Sequence, residues 1–248
     1  PAFRGSFQEI LDRALADLAA YRQAGVDAVL LENSADLPYI KPPLPDADID
    51  CVRQIAGEVR RGFKGPLGLQ LLEAANHQAL EVAVQTGLDF LRVEGFVFAH
   101  IGGAGLIEGC AGQLLRLRRQ REAGHIRIFA DVRKKHCAHA LTGDLPLTEH
   151  VRQAEFFRAD GLVVTGPRTG SEPKFADLEA TAFVSKLPRL IGSGMTPDNL
   201  ARFFPHADGF IVGSALREAG RFLGPLDPDR LDRFMQVFRR LKSEAGGG

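Results

Sequence analysis

The chain has 248 residues, about the length of a single (β/α)₈ barrel, and is long enough to bury a large core. Its 31 lysines and arginines balance 31 aspartates and glutamates, so no global field recruits nucleic acid or an anionic membrane. No apolar run approaches the length of a membrane span, and no signal peptide is visible. Three cysteines without C-x-x-C spacing argue against disulfides or structural zinc and indicate a reducing compartment, cytoplasmic or organellar.

Strand patterns alternate with helix patterns along the whole chain, beginning with a helix that a capping box opens at Ser6 and Glu9. Strands are predicted over residues 26–31, 67–72, 88–93, 126–130, 161–165, 189–192 and 210–212. Helices are predicted over residues 6–24, 46–61, 73–86, 106–121, 147–158 and 175–185, from residue 197, and near the end of the chain. Proline-rich and glycine-rich loops are expected at residues 38–45 and 96–105.

Seven strands and eight helices at this spacing predict an α/β fold, a (β/α)₈ TIM-type barrel that lacks its first strand in this chain. An eighth strand would have to precede Pro1, so a gap is expected between the first and last strands. Residues 1–243 would form one domain, followed by a flexible tail at 244–248. A doubly wound sheet is the rival fold, but Gly192-Ser193-Gly194 is not followed by the third glycine of a dinucleotide-binding fingerprint.

Titratable side chains gather at the predicted strand ends, where α/β folds bind their ligands. The strand at 126–130 is followed by a carboxylate, two amines and two imidazoles, which belong to Asp131, Lys134, Lys135, His136 and His139. Glu32 and Glu94 follow two other strands. A solvated basic turn would explain the lysines. The sharper hypothesis is that Glu32, Glu94, Asp131, Lys134 and His136 converge on one pocket and perform acid/base chemistry.

Two other chemistries suit the same residues. Asp131, His136 and His139, with Glu32 and Glu94 from other strand ends, would accept a divalent metal. The spacing of the first three matches no established motif and the neighbouring lysines repel a cation, so no metal ligand is assigned and the cofactor is unknown. Lys134 or Lys135 would serve as a Schiff-base nucleophile if burial lowered its pKa. Adjacent side chains point in different directions, so at most one of the two lysines is expected to face the pocket.

An anion site is predicted after the last two strands, where barrels commonly bind phosphate on backbone N–H groups. Its candidate residues are Ser193, Gly194, Gly213 and Ser214, extended by Thr165 and Gly166. Thr196 and Pro197 are expected to start a helix whose N-terminus would add to the attraction for negative charge. The alternative is that these glycines only form tight turns.

Several motifs together resemble the BtpA/SgcQ family of predicted TIM-barrel proteins. In chain order they read VDAVLLEN (26–33), RVEGFVFAH (92–100), GLIEG (105–109), ADVRKKH (130–136), VTGPRTG (164–170), GSGMTPDN (192–199) and VGSAL (212–216). The resemblance implies a barrel whose first strand precedes this sequence. The chain departs from the family around residues 70–76 and at Glu94, where bacterial members more often carry asparagine.

Two classes of function stay open. The first is an enzyme acting on a small phosphorylated metabolite, a sugar phosphate or nucleotide-like compound. The second is a non-catalytic binding or assembly factor, because the family is named for a role in photosystem I biogenesis. Converging titratable groups favour the enzyme, since a scaffold has no need of them. The sequence also leaves a homo-oligomer open.

Overall fold

The computed structural model describes residues 6–246. Its first helix, α1, spans Phe7–Ala24 and begins with the predicted capping box: the Ser6 hydroxyl accepts from the Glu9 amide, and the Glu9 carboxylate accepts from the Ser6 amide. Gly25 ends the helix in the left-handed conformation, at a φ of 68°, which only glycine adopts without steric cost.

Strands and helices alternate after α1, as the sequence pattern predicts. The strands are β1 Val29–Glu32, β2 Leu67–Gln70, β3 Phe90–Val93, β4 His100–Gly102, β5 Gly105–Ile107, β6 Arg127–Asp131, β7 Gly161–Val164, β8 Arg189–Ile191 and β9 Gly209–Phe210. The helices after α1 are α2 Asp46–Gly62, α3 Asn76–Thr86, α4 Ala111–Gln120, α5 Leu147–Phe156, α6 Phe175–Val184, α7 Leu200–Phe203 and α8 Pro228–Gly246.

Seven of these strands form one parallel, curled sheet in the order β1-β2-β3-β6-β7-β8-β9, while β4 and β5 form a separate antiparallel hairpin. Among residues 6–246, β1 pairs only with β2, and β9 pairs only with β8. Within residues 6–246 the sheet therefore stays open between its first and last strands, in agreement with the expected gap. A strand formed by residues 1–3 would fall outside the described part of the chain. The predicted TIM-type α/β fold is confirmed.

The strand interiors are apolar because helices cover the outer face of the sheet and side chains fill its inner face. Leu67, Leu69, Leu91 and Ile128 are at most 1% exposed. Two phenylalanine rings lie over glycines of the neighbouring strand: Phe90 over Gly68, and Phe129 over Gly161. A β-carbon at either glycine would overlap the ring, so glycine is required there for close packing.

The structure corrects three predicted helix starts. The helix predicted at 73–86 begins only at Asn76. The helix predicted at 106–121 begins at Ala111, because residues 105–107 pair with residues 100–102 in the β4–β5 hairpin. The apolar pair Leu106-Ile107 fits either pattern, and the glycines at 102, 103 and 105 favour the hairpin turn.

The helix expected from Thr196 and Pro197 is regular only from Leu200. The Thr196 amide donates to the Asn199 side-chain oxygen at 2.9 Å, and the Asn199 amide donates to the Thr196 hydroxyl at 3.4 Å. These mutual bonds resemble a capping box, the Leu200 amide donates to the Thr196 carbonyl at 3.0 Å, and the four-residue α7 follows. At the chain end, α8 continues to Gly246, three residues beyond the predicted domain end. None of the helices described is long and apolar enough to cross a membrane.

Candidate active site

A buried arginine joins three strand ends at the centre of the sheet. Arg92, on β3, is 5% exposed and donates two hydrogen bonds to the Asp131 carboxylate at the end of β6, at 3.2 and 3.1 Å. A third contact, at 3.4 Å, reaches Glu32 at the end of β1. Burial opposes the charge of Arg92, but the Asp131 and Glu32 carboxylates more than offset it, so the pKa of the guanidinium is raised. We call these three residues the Arg92 cluster.

A second group surrounds Lys134, three residues beyond the polar end of β6. Its ammonium forms an ion pair with Glu94, at 3.1 Å, and a short one with Glu73. Glu94 follows β3 and also accepts from the Gln70 side chain at 2.8 Å and from the Ala74 amide at 3.1 Å. We call Lys134, Glu73, Glu94 and Gln70 the Lys134 cluster. It satisfies both carboxylates with donors in a site that excludes most water.

The buried environment shifts the pKa of the Glu94 carboxyl group towards neutral pH. It is 2% exposed, and burial raises its pKa to about 7, although the Lys134 ammonium acts in the opposite direction. Glu73 differs, because hydrogen bonds from Lys134 and Ala104 overcome the effect of burial and lower its pKa. With two carboxylates as partners, Lys134 has a raised pKa despite its burial. Near neutral pH, Glu94 can therefore both donate and accept a proton.

The β4–β5 hairpin covers the Lys134 cluster. Glu73 accepts from the Ala104 amide at the hairpin tip, at 2.8 Å, and Gly102 packs directly against the Glu73 carboxylate. The hairpin is also tied to the loop after β6, since Ile101 and Ala138 exchange backbone hydrogen bonds of 3.1 and 2.9 Å. One carboxylate thus links the catalytic candidate Lys134 to the element that covers it.

Three buried or half-buried histidines lie beside these clusters. The His100 and His139 rings are 5.6 Å apart, and the His150 ring packs edge-on against Phe98 at 5.0 Å. Burial lowers the pKa of both His100 and His150 to about 4. The cavity between them also touches Asp131 and Lys134 and has room for about one water molecule. No group of side chains within residues 6–246 is arranged to hold a metal ion.

His136 lies outside both clusters. Its backbone has a positive φ of 60°, and its exposed imidazole pairs with the Thr169 hydroxyl at 2.9 Å and accepts from the Thr169 amide at 3.1 Å. Burial and the charges of Lys135 and Lys134 lower its pKa. The structure thus brings Glu32 and Asp131 to one arginine and Glu94 to Lys134, while His136 contacts the loop after β7 at the rim.

Half of the predicted anion cradle is used to join three loops, those after β6, β7 and β8. The Ser193 hydroxyl donates to the Ser171 carbonyl at 3.0 Å and accepts from the Gly166 amide at 3.1 Å. The Thr165 hydroxyl donates to the Arg133 carbonyl at 3.4 Å. Three of the six candidate residues therefore hold the loop after β7 against the loops after β6 and β8.

The other three candidates, Gly194, Gly213 and Ser214, keep backbone N–H groups without an acceptor in the part of the chain that the structure describes. Gly194 has a φ of 79° and lies against the backbone of residues 171–172. Around Gly213 there is open space, and Ser214 begins a single 3₁₀ turn. This part of the cradle depends on loop amides, because the next helix, α7, begins only at Leu200.

The sequence pattern assigned no role to three members of the clusters, although Arg92 was expected at the end of its strand. Arg92 and Gln70 belong to strands that are otherwise apolar, and a polar residue in a buried strand is itself a signal for a site. Glu73 was not predicted as a site residue because the sequence pattern placed it in a helix. Tyr39, from the proline-rich loop, also comes close: burial and then the charge of Glu32 raise its pKa to about 12.

Comparison with known proteins places this geometry in a family. The BtpA family model matches residues 1–240. An uncharacterised mitochondrial protein of Caenorhabditis elegans is 41% identical over 94% of this chain and 86% of its own length. The photosystem I biogenesis protein BtpA of Synechocystis is 33% identical over 97% of this chain and 84% of its own length.

Solved structures support the fold at much lower identity. Phosphoribosyl anthranilate isomerase from Thermus thermophilus matches with a TM-score of 0.60 at 14% identity, covering 92% of this chain and 94% of that one. Thiamine phosphate pyrophosphorylase from Pyrococcus furiosus matches with a TM-score of 0.58 at 14% identity, covering 93% of each chain. Likeness at this identity concerns the fold alone, whereas the matches in sequence extend along the whole chain. The chain therefore belongs to the BtpA family.

Proposed function

We propose that this protein is an enzyme that acts on a small phosphorylated metabolite by acid/base chemistry at the carboxyl ends of its strands. The observation that carries the proposal is the Glu94–Lys134 pair: a buried carboxyl group with a pKa of about 7 beside a fixed ammonium group. A group that titrates near neutral pH in an enclosed polar site suits a general acid or base. A protein that only binds a partner gains nothing from burying such a pair.

The other cluster members take supporting roles in this proposal. Lys134 would stabilise negative charge that develops on the substrate, because its ammonium stays protonated. Glu32 is the more accessible carboxylate, with its side chain 24% exposed, and would be the second acid/base group. Asp131 is fully engaged by Arg92 and would fix the arginine in place. His136, at the rim, would act on the substrate only if the loop carrying Thr169 moved.

The phosphate group would bind to the loop amides of Gly194, Gly213 and Ser214. These N–H groups have no acceptor within residues 6–246, and an anion would supply one. Ser193, Thr165 and Gly166 would shape the same cradle through their bonds to neighbouring loops. The structural neighbours named as a phosphoribosyl anthranilate isomerase and a thiamine phosphate pyrophosphorylase support a phosphorylated ligand by analogy of fold.

A reducing compartment, cytoplasmic or organellar, fits this proposal. The three cysteines are free, and one relative is named as mitochondrial. The formal net charge is zero, so a small ligand is a better candidate partner than nucleic acid.

A thermal-shift comparison of phosphorylated metabolites with their unphosphorylated counterparts tests the proposal. Ligands that bind the folded state raise the melting temperature, so phosphorylated members alone should do so. Gly213→Asp places a carboxylate in the open space of the cradle without overlapping other atoms, and should abolish the shift. Gly124→Asp is the matched control, because its site is also open and precedes β6 at the opposite end of the sheet. Equal shifts in both variants would refute the phosphate site.

A second candidate function is a non-catalytic assembly factor. It is favoured by the name of the Synechocystis relative and by two exposed rings on adjacent helices, Phe156 at 74% and Phe183 at 86% exposure. Turnover separates the two functions. An enzyme should lose turnover of a hit from the ligand screen in Glu94→Gln and keep it in Phe183→Ser, while an assembly factor should turn over none of the hits.

A further inference from the structure

Lys135 lies in the loop after β6, between two anchored neighbours. The Lys134 ammonium on one side is fixed by Glu94, and the His136 ring on the other is fixed by Thr169. Lys135 itself is half-buried, and no hydrogen bond or ion pair joins its amine to any of residues 6–246. A half-buried lysine without a partner is unusual, since burying an unpaired ammonium group costs free energy.

The carboxylates around Lys135 are already engaged by other cations. Both oxygens of Asp131 accept from Arg92, and Glu94 accepts from Lys134, Gln70 and the Ala74 amide. Burial and the positive charge of Arg92 accordingly lower the pKa of Lys135, although Glu32 and Asp131 act in the opposite direction. The adjacent lysines therefore differ: Lys134 is a cation fixed by two carboxylates, and Lys135 is the one whose unpaired amine loses its proton more readily.

We propose that Lys135 forms an imine with a phosphorylated aldehyde or ketone, which narrows the substrate class of the proposed function and rests on it. The amine attacks the carbonyl carbon, and the carbonyl π electrons move to oxygen, which takes up the proton that nitrogen releases. The resulting hydroxyl group leaves as water when the acid form of Glu94 donates a proton to it. The product is a protonated imine on Lys135 and a carboxylate on Glu94, so atoms and charges balance.

Reductive trapping tests this step directly. The protein is incubated with pyridoxal 5′-phosphate, a phosphorylated aldehyde, and then with sodium borohydride, whose hydride converts an imine into a stable secondary amine. Peptide mass spectrometry should find the adduct on Lys135 in preference to the exposed Lys64 and Lys186. Simple reactivity by exposure would give the opposite order. Adducts distributed by exposure, or concentrated on Lys134, would overturn the proposal.

Variants separate imine formation from charge. Lys135→Arg keeps the positive charge and Lys135→Met removes it, and both should lose the preferred adduct, whereas Lys64→Arg should keep it. Circular dichroism checks that each variant is folded. Retention of the preferred adduct in Lys135→Arg would overturn the assignment.

A parallel thermal-shift measurement distinguishes failure of this inference from failure of the proposed function. Glycerol 3-phosphate has a phosphate group and no carbonyl group, so it reports on the phosphate cradle alone. Stabilisation by glycerol 3-phosphate without trapping at Lys135 would overturn the imine and leave the proposed function standing. Stabilisation together with trapping at Lys135 would support both. Pyridoxal, which lacks the phosphate group, should be trapped more slowly than pyridoxal 5′-phosphate. Equal trapping rates for the two aldehydes would overturn the claim that the carbonyl substrate is phosphorylated.

Discussion

At the scale of single residues, Glu94 carries the chemistry that we assign to the site. Burial holds its pKa near 7, far above that of an exposed glutamate, so its acid form persists close to neutral pH. We expect a carboxylic-acid carbonyl band in the infrared difference spectrum that disappears with a midpoint at about pH 7. The band should be absent from Glu94→Gln. A midpoint near that of ordinary glutamates would remove Glu94 as the acid/base group.

Single residues also show where sequence reasoning succeeds and where it stops. Glu32, Asp131 and Glu94 follow apolar strand patterns, so their place at the strand ends could be predicted. The cation that pairs with each carboxylate could not be predicted, because Arg92 is 39 residues from Asp131 and Lys134 is 40 residues from Glu94. Those pairs depend on how β3 and β6 lie side by side, and a local pattern has no information about register.

At the scale of elements, the β4–β5 hairpin depends on Glu73. Removing this carboxylate in Glu73→Ala leaves the Ala104 amide without an acceptor and Lys134 with one ion pair instead of two. We expect faster hydrogen exchange across the hairpin and a loss of about 1–3 kcal/mol of unfolding free energy. Glu108→Ala, an exposed change just after β5, should alter neither quantity. Unchanged exchange at Ala104 in Glu73→Ala would contradict the link between the cluster and its cover.

The packing of neighbouring strands depends on glycine opposite phenylalanine. In Gly161→Ala the new methyl group overlaps the Phe129 ring, so we expect urea unfolding to show a loss of about 1–3 kcal/mol. Phe129→Leu creates space at the same position, and the double variant should recover part of the loss. If the losses of unfolding free energy in the two single variants simply add in the double variant, the two side chains do not occupy the same space.

On the scale of the whole molecule, buried histidines should make stability fall in acid. Their pKa of about 4 in the folded protein lies below the ordinary value of 6.5, so between these limits only the unfolded chain takes up the proton. The stability that the uncharged histidines allow is therefore fully present above pH 6.5, and the unfolding free energy decreases as the pH falls towards 4. Protonation of each histidine should lower the unfolding free energy by at most about 3 kcal/mol, and by less where solvent reaches the ring.

His150→Phe keeps an aromatic ring against Phe98 and removes one titrating group. Its unfolding free energy should therefore decline less between pH 6.5 and pH 4 than that of the unmodified chain. Glu94 acts in the opposite direction over part of this pH range: its pKa is raised in the folded state, so its protonation stabilises the fold as the pH falls. This effect is the same in His150→Phe and in the unmodified chain, so it cancels when the two are compared. His125→Gln, an exposed change, is the control and should follow the unmodified chain. A parallel decline in His150→Phe would contradict the prediction.

The architecture was predictable from the sequence because the repeated strand–helix spacing can be recognised even when the predicted end of each element is wrong by a few residues. All seven sheet strands overlap predicted segments, β9 by one residue only, and the open edge between β1 and β9 among the described residues follows from their number. The hairpin at residues 100–107 was not predictable. It depends on a non-repetitive contact, that of Glu73 with the hairpin tip, which overrides a local helix preference.

The central claim is that phosphate binds to loop amides above the clusters of buried charge. Amide chemical shifts recorded by nuclear magnetic resonance during titration with inorganic phosphate test it most directly. We predict saturable shifts at Gly194, Gly213 and Ser214, whose N–H groups have no acceptor in the described chain, and loss of those shifts in Gly213→Asp but not in Gly124→Asp. Shifts that are absent from these three amides, or that persist unchanged in Gly213→Asp, would contradict the account.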